Sequence, residues 1–216
     1  INGGQIYGTV HGGRSIDGST TGNAVSITGG SMGFFVYGGY SLNSGDAVNN
    51  SISISGGEID GYVYGGYSGS GKATGNTVTL SGGLVKGEVY GGYSDSGAVS
   101  GNTVIISGGT VIQNVNVGSS IDGNAINNTL TFSGGLVSWS IYGGYDYELT
   151  TPNDMFTGNK LNVKAKDLSV GGDLKNFQYL NFHVPSTAKA NATMLNVGGE
   201  ADLTDGAGGS STVSVA

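Results

Sequence analysis

Residues 75–100 read GNTVTLSGGLVKGEVYGGYSDSGAVS, and this stretch decides the fold because its pattern recurs along the chain about every 26 residues. A Gly-Gly pair follows the asparagine in most copies, and a second pair, usually preceded by tyrosine, comes later in the unit. The asparagine that marks each copy recurs at Asn23, Asn50, Asn76, Asn102, Asn128 and Asn159. Self-similarity at such a period is the sequence signature of a repeat architecture, in which each repeat is one structural unit.

Two apolar columns run through the copies, two residues apart, with mostly small or polar positions between them. The first holds Val25, Ile52, Val78, Val104, Leu130 and Leu161, and the second holds Ile27, Ile54, Leu80, Ile106, Phe132 and Val163. This alternation is typical of a strand with one buried and one exposed face. A single unit cannot bury its apolar face, but stacked units can.

The sequence therefore predicts an all-β fold, a parallel β-solenoid or β-helix with one coil per repeat of about 26 residues. Coils would lie about 4.8 Å apart, and the asparagines would form an amide ladder between them. The handedness stays open. An antiparallel sandwich or barrel is the main alternative, which would explain the strands but not the constant character of whole columns.

The repeat pattern changes at two points, which divide the chain into three segments. Residues 1–145 form the regular solenoid, residues 146–157 (DYELTTPNDMFT) an inserted loop, and residues 158–216 further, less regular coils of the same rod. The chain ends on STVSVA, which is typical of the middle of a strand, so we expect a fragment of a longer protein.

Composition excludes several classes of protein. The 216 residues include 44 glycines but no cysteine, which excludes a disulfide scaffold and thiolate metal sites. The net charge of −7, without a basic stripe, argues against nucleic-acid binding. No apolar run approaches the roughly 18 residues of a membrane helix, so we expect no membrane insertion by this segment.

Catalytic chemistry finds little support in the sequence. The two histidines, His11 and His183, lie far apart and lack the spacing of a triad or a metal site. Acids such as Glu58 and Glu88 form no column, have no Arg or Lys partner nearby, and are interpreted as solvated loop residues. We therefore predict no enzyme activity, no cofactor and no metal, with a carbohydrate-active enzyme as the lowest-ranked alternative.

The tyrosines are the main candidate contact surface. They form two rows, one of Tyr37, Tyr64, Tyr90 and Tyr142 and one of Tyr40, Tyr67, Tyr93 and Tyr145. Arg14 and Asn116 interrupt these rows, and because a buried column should not accept them, we expect the rows to face solvent at least in part. They either stack between coils or form a flat strip for a glycan or protein. Trp139 lies at a variable position and is predicted to be an exposed contact residue.

The segments GN-x-V-x-I-S-GG and VYGGYS, with the tail NVKAKDLSVGGDLKNFQYLNFHVPSTAKANATMLNV, are similar to the passenger repeats of bacterial autotransporter adhesins, the type V secreted surface proteins. The similarity covers nearly the whole chain. It implies a β-helical passenger that is exported through the outer membrane and lies at the bacterial cell surface or is secreted. It also implies a host or bacterial surface glycan or protein as partner. A structural stalk that spaces another domain from the cell is the alternative.

Overall fold

The structure, a computed structural model, describes residues 1–146, 153–205 and 208–216, and within them it contains strands and no helix. The strands pair in parallel, coil upon coil, into a β-solenoid of about 7 turns. This confirms the predicted fold class and excludes the antiparallel alternative. Among the described residues no helix is long and apolar enough to cross a membrane.

Three parallel sheets form the sides of the rod. The long face has 12 strands, the tyrosine face 7 and the short face 5. The long face comprises Asn2–Ile6, Ala24–Ile27, Gly29–Met32, Ser51–Ile59, Thr77–Val85, Thr103–Val111, Thr129–Val137, Lys160–Val163, Leu168–Val170, Tyr179–Phe182, Leu195–Val197 and Thr212–Val215. The tyrosine face comprises Val10–Ser15, Val36–Ser41, Val63–Ser68, Val89–Ser94, Val115–Ser120, Ile141–Tyr145 and Leu174–Lys175. The short face comprises Thr20–Thr21, Ala47–Val48, Ala73–Thr74, Val99–Ser100 and Ala125–Ile126.

The register between coils follows the repeat. On the long face Val78 pairs with Ile52 on one side and with Val104 on the other, and Leu80 pairs with Ile54 and Ile106. Both predicted apolar columns are buried in one continuous core. Residues that share a column therefore stack directly on one another, so the core is as long as the rod.

The asparagines form the predicted amide ladder inside the core. Asn102 is fully buried, and its Oδ1 accepts hydrogen bonds from the backbone N–H of Asn76 at 2.9 Å and from its Nδ2 at 3.0 Å. The Nδ2 of Asn102 donates to the carbonyl of Ala73 at 2.9 Å and to Oδ1 of Asn128 at 3.1 Å. Each amide thus joins three coils and satisfies polar groups that the apolar interior would otherwise leave unpaired.

The two Gly-Gly pairs have different physical roles. In the first pair the second glycine, such as Gly83 or Gly109, has a φ of 83° or 75°, a region that glycine adopts without strain. The strand register shifts at this point, which marks a bulge in the long face. In the second pair, a Cβ on Gly92 would lie 2.5 Å from the Nδ2 of Asn102, so glycine leaves the space that the amide ladder occupies.

After residue 146 the coils change. Residues 147–152 of the predicted loop lie outside the described residues, but its last residues continue the short side of the rod. There the N–H of Ala125 donates to the carbonyl of Asp154 at 2.9 Å, and Phe156 is buried. The next long-face strand is divided in two, because Leu130 pairs with Leu161 whereas Val137 pairs with Val170.

Candidate contact surface

The tyrosines of successive coils stack face to face along the rod. The ring centroids of Tyr37 and Tyr64 are 4.9 Å apart, and those of Tyr64 and Tyr90 are 4.7 Å apart, with interplanar angles of 8° and 6°. In the second row, Tyr67 and Tyr93 stack at 5.3 Å. The two rows meet edge to face, as between Tyr64 and Tyr67, at 5.9 Å and 88°. Both arrangements are favoured by the ring quadrupole, and the stacked pairs stabilise the junctions between coils.

The glycines between the two tyrosines explain how both rings lie on one side. Strict alternation would place Tyr37 and Tyr40, three residues apart, on opposite faces of the strand. Their ring centroids are instead only 4.7 Å apart. The intervening Gly38 is skipped in the pairing with the next coil, whereas Tyr37, Gly39 and Tyr40 are paired. The Gly-Gly pair therefore interrupts the alternation of side chains, so that both tyrosines lie on the same face of the strand.

The expectation that both tyrosine rows face solvent at least in part is wrong for Tyr37 and Tyr90 of the first row. Tyr37 is 8% exposed between the rings of His11 and Tyr64, and Tyr90 is 2% exposed with Tyr64 stacked on one side. The expectation rested on the idea that a buried column does not accept asparagine. This idea is also wrong, because Asn116 occupies a fully buried position in register with Tyr90. A buried column accepts this polar residue, although its Oδ1 has no hydrogen-bond partner.

The second row is half-buried rather than fully exposed. This holds for Tyr40, Tyr67 and Tyr93. The Tyr67 hydroxyl donates to Oδ2 of Asp95 at 2.9 Å. Burial, followed by this hydrogen bond, raises the pKa of Tyr67 well above its ordinary value. The hydroxyl therefore keeps its single proton, which it donates to Asp95.

In the first coil, two non-tyrosine residues cover the end of the rows. The His11 ring stacks on Tyr37 at 5.2 Å and 8°, and the Arg14 guanidinium lies 5.9 Å from the centre of the Tyr40 ring. Burial, then the neighbouring Arg14, lowers the pKa of His11. These contacts are those of stacking residues. At the other end, Tyr142 and Tyr145 form a separate half-buried pair with centroids 4.7 Å apart.

A third aromatic column, which the sequence analysis missed, lies at the corner between the long and tyrosine faces. The rings of Phe35 and Tyr62 pack at 5.4 Å. A Cβ on Gly61 would come within 2.9 Å of Phe35 Cδ1, so the ring lies over this glycine. The sequence contains a sign of this column. Phe35 aligns with Tyr62 of the next copy, and the residue just before Tyr62 is Gly61, which leaves room for the Phe35 ring.

Glu88 continues this column, and its interpretation as a solvated loop acid is wrong. It is only 7% exposed. Its carboxylate accepts hydrogen bonds from the hydroxyl of Tyr90 and from Nδ2 of Asn114, the latter at 2.7 Å. A buried carboxylate needs such partners. Glu88 thus ties the aromatic rows to the corner of the next coil.

The expectation that the acids lack a basic partner is wrong for Glu58 and Asp60. Lys86 forms ion pairs with both Glu58 and Asp60 of the preceding coil. Hydrogen bonds to Asp60 and Glu58 raise the pKa of Lys86, which is the opposite of what a general base needs. The described residues contain no group of three or more His, Asp or Glu side chains that could hold a metal ion.

Trp139 is exposed, as the sequence predicts. Its side chain is 54% exposed at the corner that follows the long face. Two further exposed apolar residues lie on the same or the adjacent coil. Leu136 precedes Trp139 by three residues, and Ile112 follows Val111, the register partner of Val137. We call Ile112, Leu136 and Trp139 the Trp139 patch. Unlike the stacked tyrosines, it presents large apolar groups at the rod surface.

Comparison of the chain with family models, curated proteins and solved structures finds no match. The similarity to autotransporter passenger repeats therefore stays a prediction that the repeat segments alone support.

Proposed function

We propose that this chain is a non-enzymatic segment of an autotransporter-like bacterial surface adhesin. In this proposal the rod lies at the cell surface or is secreted, and binds a glycan or protein on a host or bacterial surface. The observation that carries the proposal is the Trp139 patch, three exposed large apolar residues on two adjacent coils. Tryptophan is enriched among residues that dominate binding energy at interfaces.

The rod supports this role because it fixes the backbone on both sides of Trp139. The strands on either side of Trp139 belong to two of the parallel sheets, and the backbone of Ser138 donates to the carbonyl of Val111 at 2.9 Å. A contact residue that is already ordered loses less conformational freedom on binding. The half-buried side chains of Tyr40, Tyr67 and Tyr93 would add contacts along the neighbouring face.

The tyrosine rows also support the alternative of a stalk. Continuous stacking between coils stabilises a rod whether or not it binds anything. A stalk requires no ligand, so the two proposals differ in whether the isolated chain binds surfaces at all.

The test is a binding screen on glycan arrays and on immobilised bacterial and host cells, with the variant Trp139→Ser. We expect at least a 10-fold loss of affinity with little change in melting temperature, because an exposed side chain contributes binding rather than packing. Phe34→Ser is the matched control, since Phe34 lies in the same column with the same 54% exposure but in a distant coil.

The outcomes separate the proposals. Loss of binding in Trp139→Ser but not in Phe34→Ser supports the Trp139 patch. Unchanged binding in both variants overturns the assignment to the patch. Absence of binding by the unaltered chain in every screen overturns the adhesin proposal in favour of the stalk.

A further inference from the structure

A surface cavity of about 380 Å³ lies in the second segment of the rod, away from the tyrosine rows. It is lined by Lys166, Asp167, Thr187, Lys189, Asn191, Ala192 and Thr193. All of these except Ala192 carry a charged, hydroxyl or amide group. Its volume lies within the range of small-molecule sites, but its lining is polar rather than apolar. The cavity therefore fits a small, hydrophilic ligand.

The charge of the segment that carries the cavity contrasts with that of the rest of the chain. Five of the eight Lys and Arg residues lie between positions 160 and 189, a range with only two carboxylates, whereas the whole chain has a net charge of −7. Val163 pairs with Phe182, so the residues that follow them, Lys164 and His183, lie on adjacent coils of this segment. The segment is a basic region on an acidic rod, which attracts an anion.

The lysines at and near the cavity differ in whether they form an ion pair. Lys166 forms an ion pair with the neighbouring Asp167. For Lys189 and Lys164 the structure shows no ion pair with any described residue. Asp167 thus competes with an incoming anion for one ammonium group, while Lys189 is available to bind it.

We propose that this cavity binds an acidic saccharide. A carboxylate or sulfate group would lie at Lys189 and Lys166, and sugar hydroxyls would form hydrogen bonds with Thr187, Thr193 and Asn191. Charge-assisted hydrogen bonds supply the affinity, and the neutral polar groups supply the preference for a sugar over a bare ion. The site goes beyond the proposed function, because it involves neither the Trp139 patch nor the tyrosines.

Two variants should change affinity in opposite directions. Lys189→Gln removes an unpaired ammonium group and should weaken binding about 10-fold. Asp167→Asn removes the competing carboxylate and should strengthen binding by a factor of about 3–10. Asp167 has a φ of 60°, a left-handed conformation that asparagine also tolerates, so this variant should fold normally. Lys72→Gln is the control, because it removes the same charge from an exposed lysine on another coil.

The measurement is isothermal titration of the full chain and its variants at low ionic strength. The probes are an oligogalacturonate, a heparin-derived oligosaccharide, a neutral dextran oligosaccharide and inorganic sulfate. We expect binding of at least one acidic oligosaccharide, and the one that binds shows whether a carboxylate or a sulfate is recognised. The dextran and the bare ion should bind weakly.

Three results would overturn the proposal. The first is that neither acidic oligosaccharide binds. The second is that Lys72→Gln weakens binding as much as Lys189→Gln, which would indicate diffuse attraction. The third is that inorganic sulfate binds as tightly as the oligosaccharides. Because Trp139→Ser should leave this binding unchanged, failure of the adhesin proposal and failure of this site are distinguishable.

Discussion

Replacing Asn102 with alanine should lower the free energy of unfolding by about 3–5 kcal/mol, because buried polar groups left without partners cost about 1–3 kcal/mol each. The variant removes the acceptor for the N–H and the Nδ2 of Asn76 and the donor to the carbonyl of Ala73. These hydrogen bonds lie in the interior, where Asn76 and Asn102 are fully buried. Urea unfolding followed by circular dichroism measures the change.

Asn43→Ala is the matched control for this prediction. Asn43 is exposed, and its side chain donates one hydrogen bond to Asp17 at 2.7 Å. Removing it should cost less than about 0.5 kcal/mol, as is usual for surface positions. Equal losses in the two variants would contradict a buried ladder.

Replacing Phe132 with alanine should also cost about 3–5 kcal/mol, the usual range for a buried phenylalanine that leaves a cavity. Phe132 is fully buried and is in register with Ile106 on one side and Val163 on the other. Because each coil contacts only its neighbours, hydrogen exchange should accelerate most in the coils next to Phe132. Protection around Ile54, three coils away, should change least.

Leu136→Ala tests whether burial, rather than the strand itself, sets this cost. Leu136 lies on the same strand as Phe132 but is 43% exposed. Its truncation should therefore cost less than about 1 kcal/mol. A loss as large as that of Phe132→Ala would mean that the assignment of inner and outer faces is wrong.

The fold was predictable from the sequence because period-two alternation and column identity are properties of the repeat itself. Val78 and Leu80 have apolar equivalents in every copy, and stacking requires only that like residues lie one coil apart. The amide ladder was predictable for the same reason. Neither inference needs knowledge of how the three faces pack against one another.

The burial of the tyrosines was not predictable in the same way, because it depends on contacts between rows. Tyr37 is covered by Tyr64 of the next coil and by the ring of Tyr40, which the Gly-Gly pair brings to the same side. Alternation alone does not show this change of phase. Glu88 was misread for a similar reason, since its partners Tyr90 and Asn114 meet it only when the corner is formed. The exposure of Trp139 was predicted correctly, because the residues at its position differ from copy to copy, which is typical of an outer corner.

The measurement that tests the central claim most directly is a set of inter-strand nuclear Overhauser effects in a uniformly labelled sample of this 21.6 kDa chain. Parallel coils place each residue beside the residue one repeat away, so contacts should keep a constant difference in residue number. We therefore expect effects that link Val78 with Val104, Leu80 with Ile106, and the side-chain amides of Asn76 and Asn102, all 26 positions apart. Antiparallel pairing would instead give contacts whose residue numbers have a constant sum, and that result would contradict the solenoid.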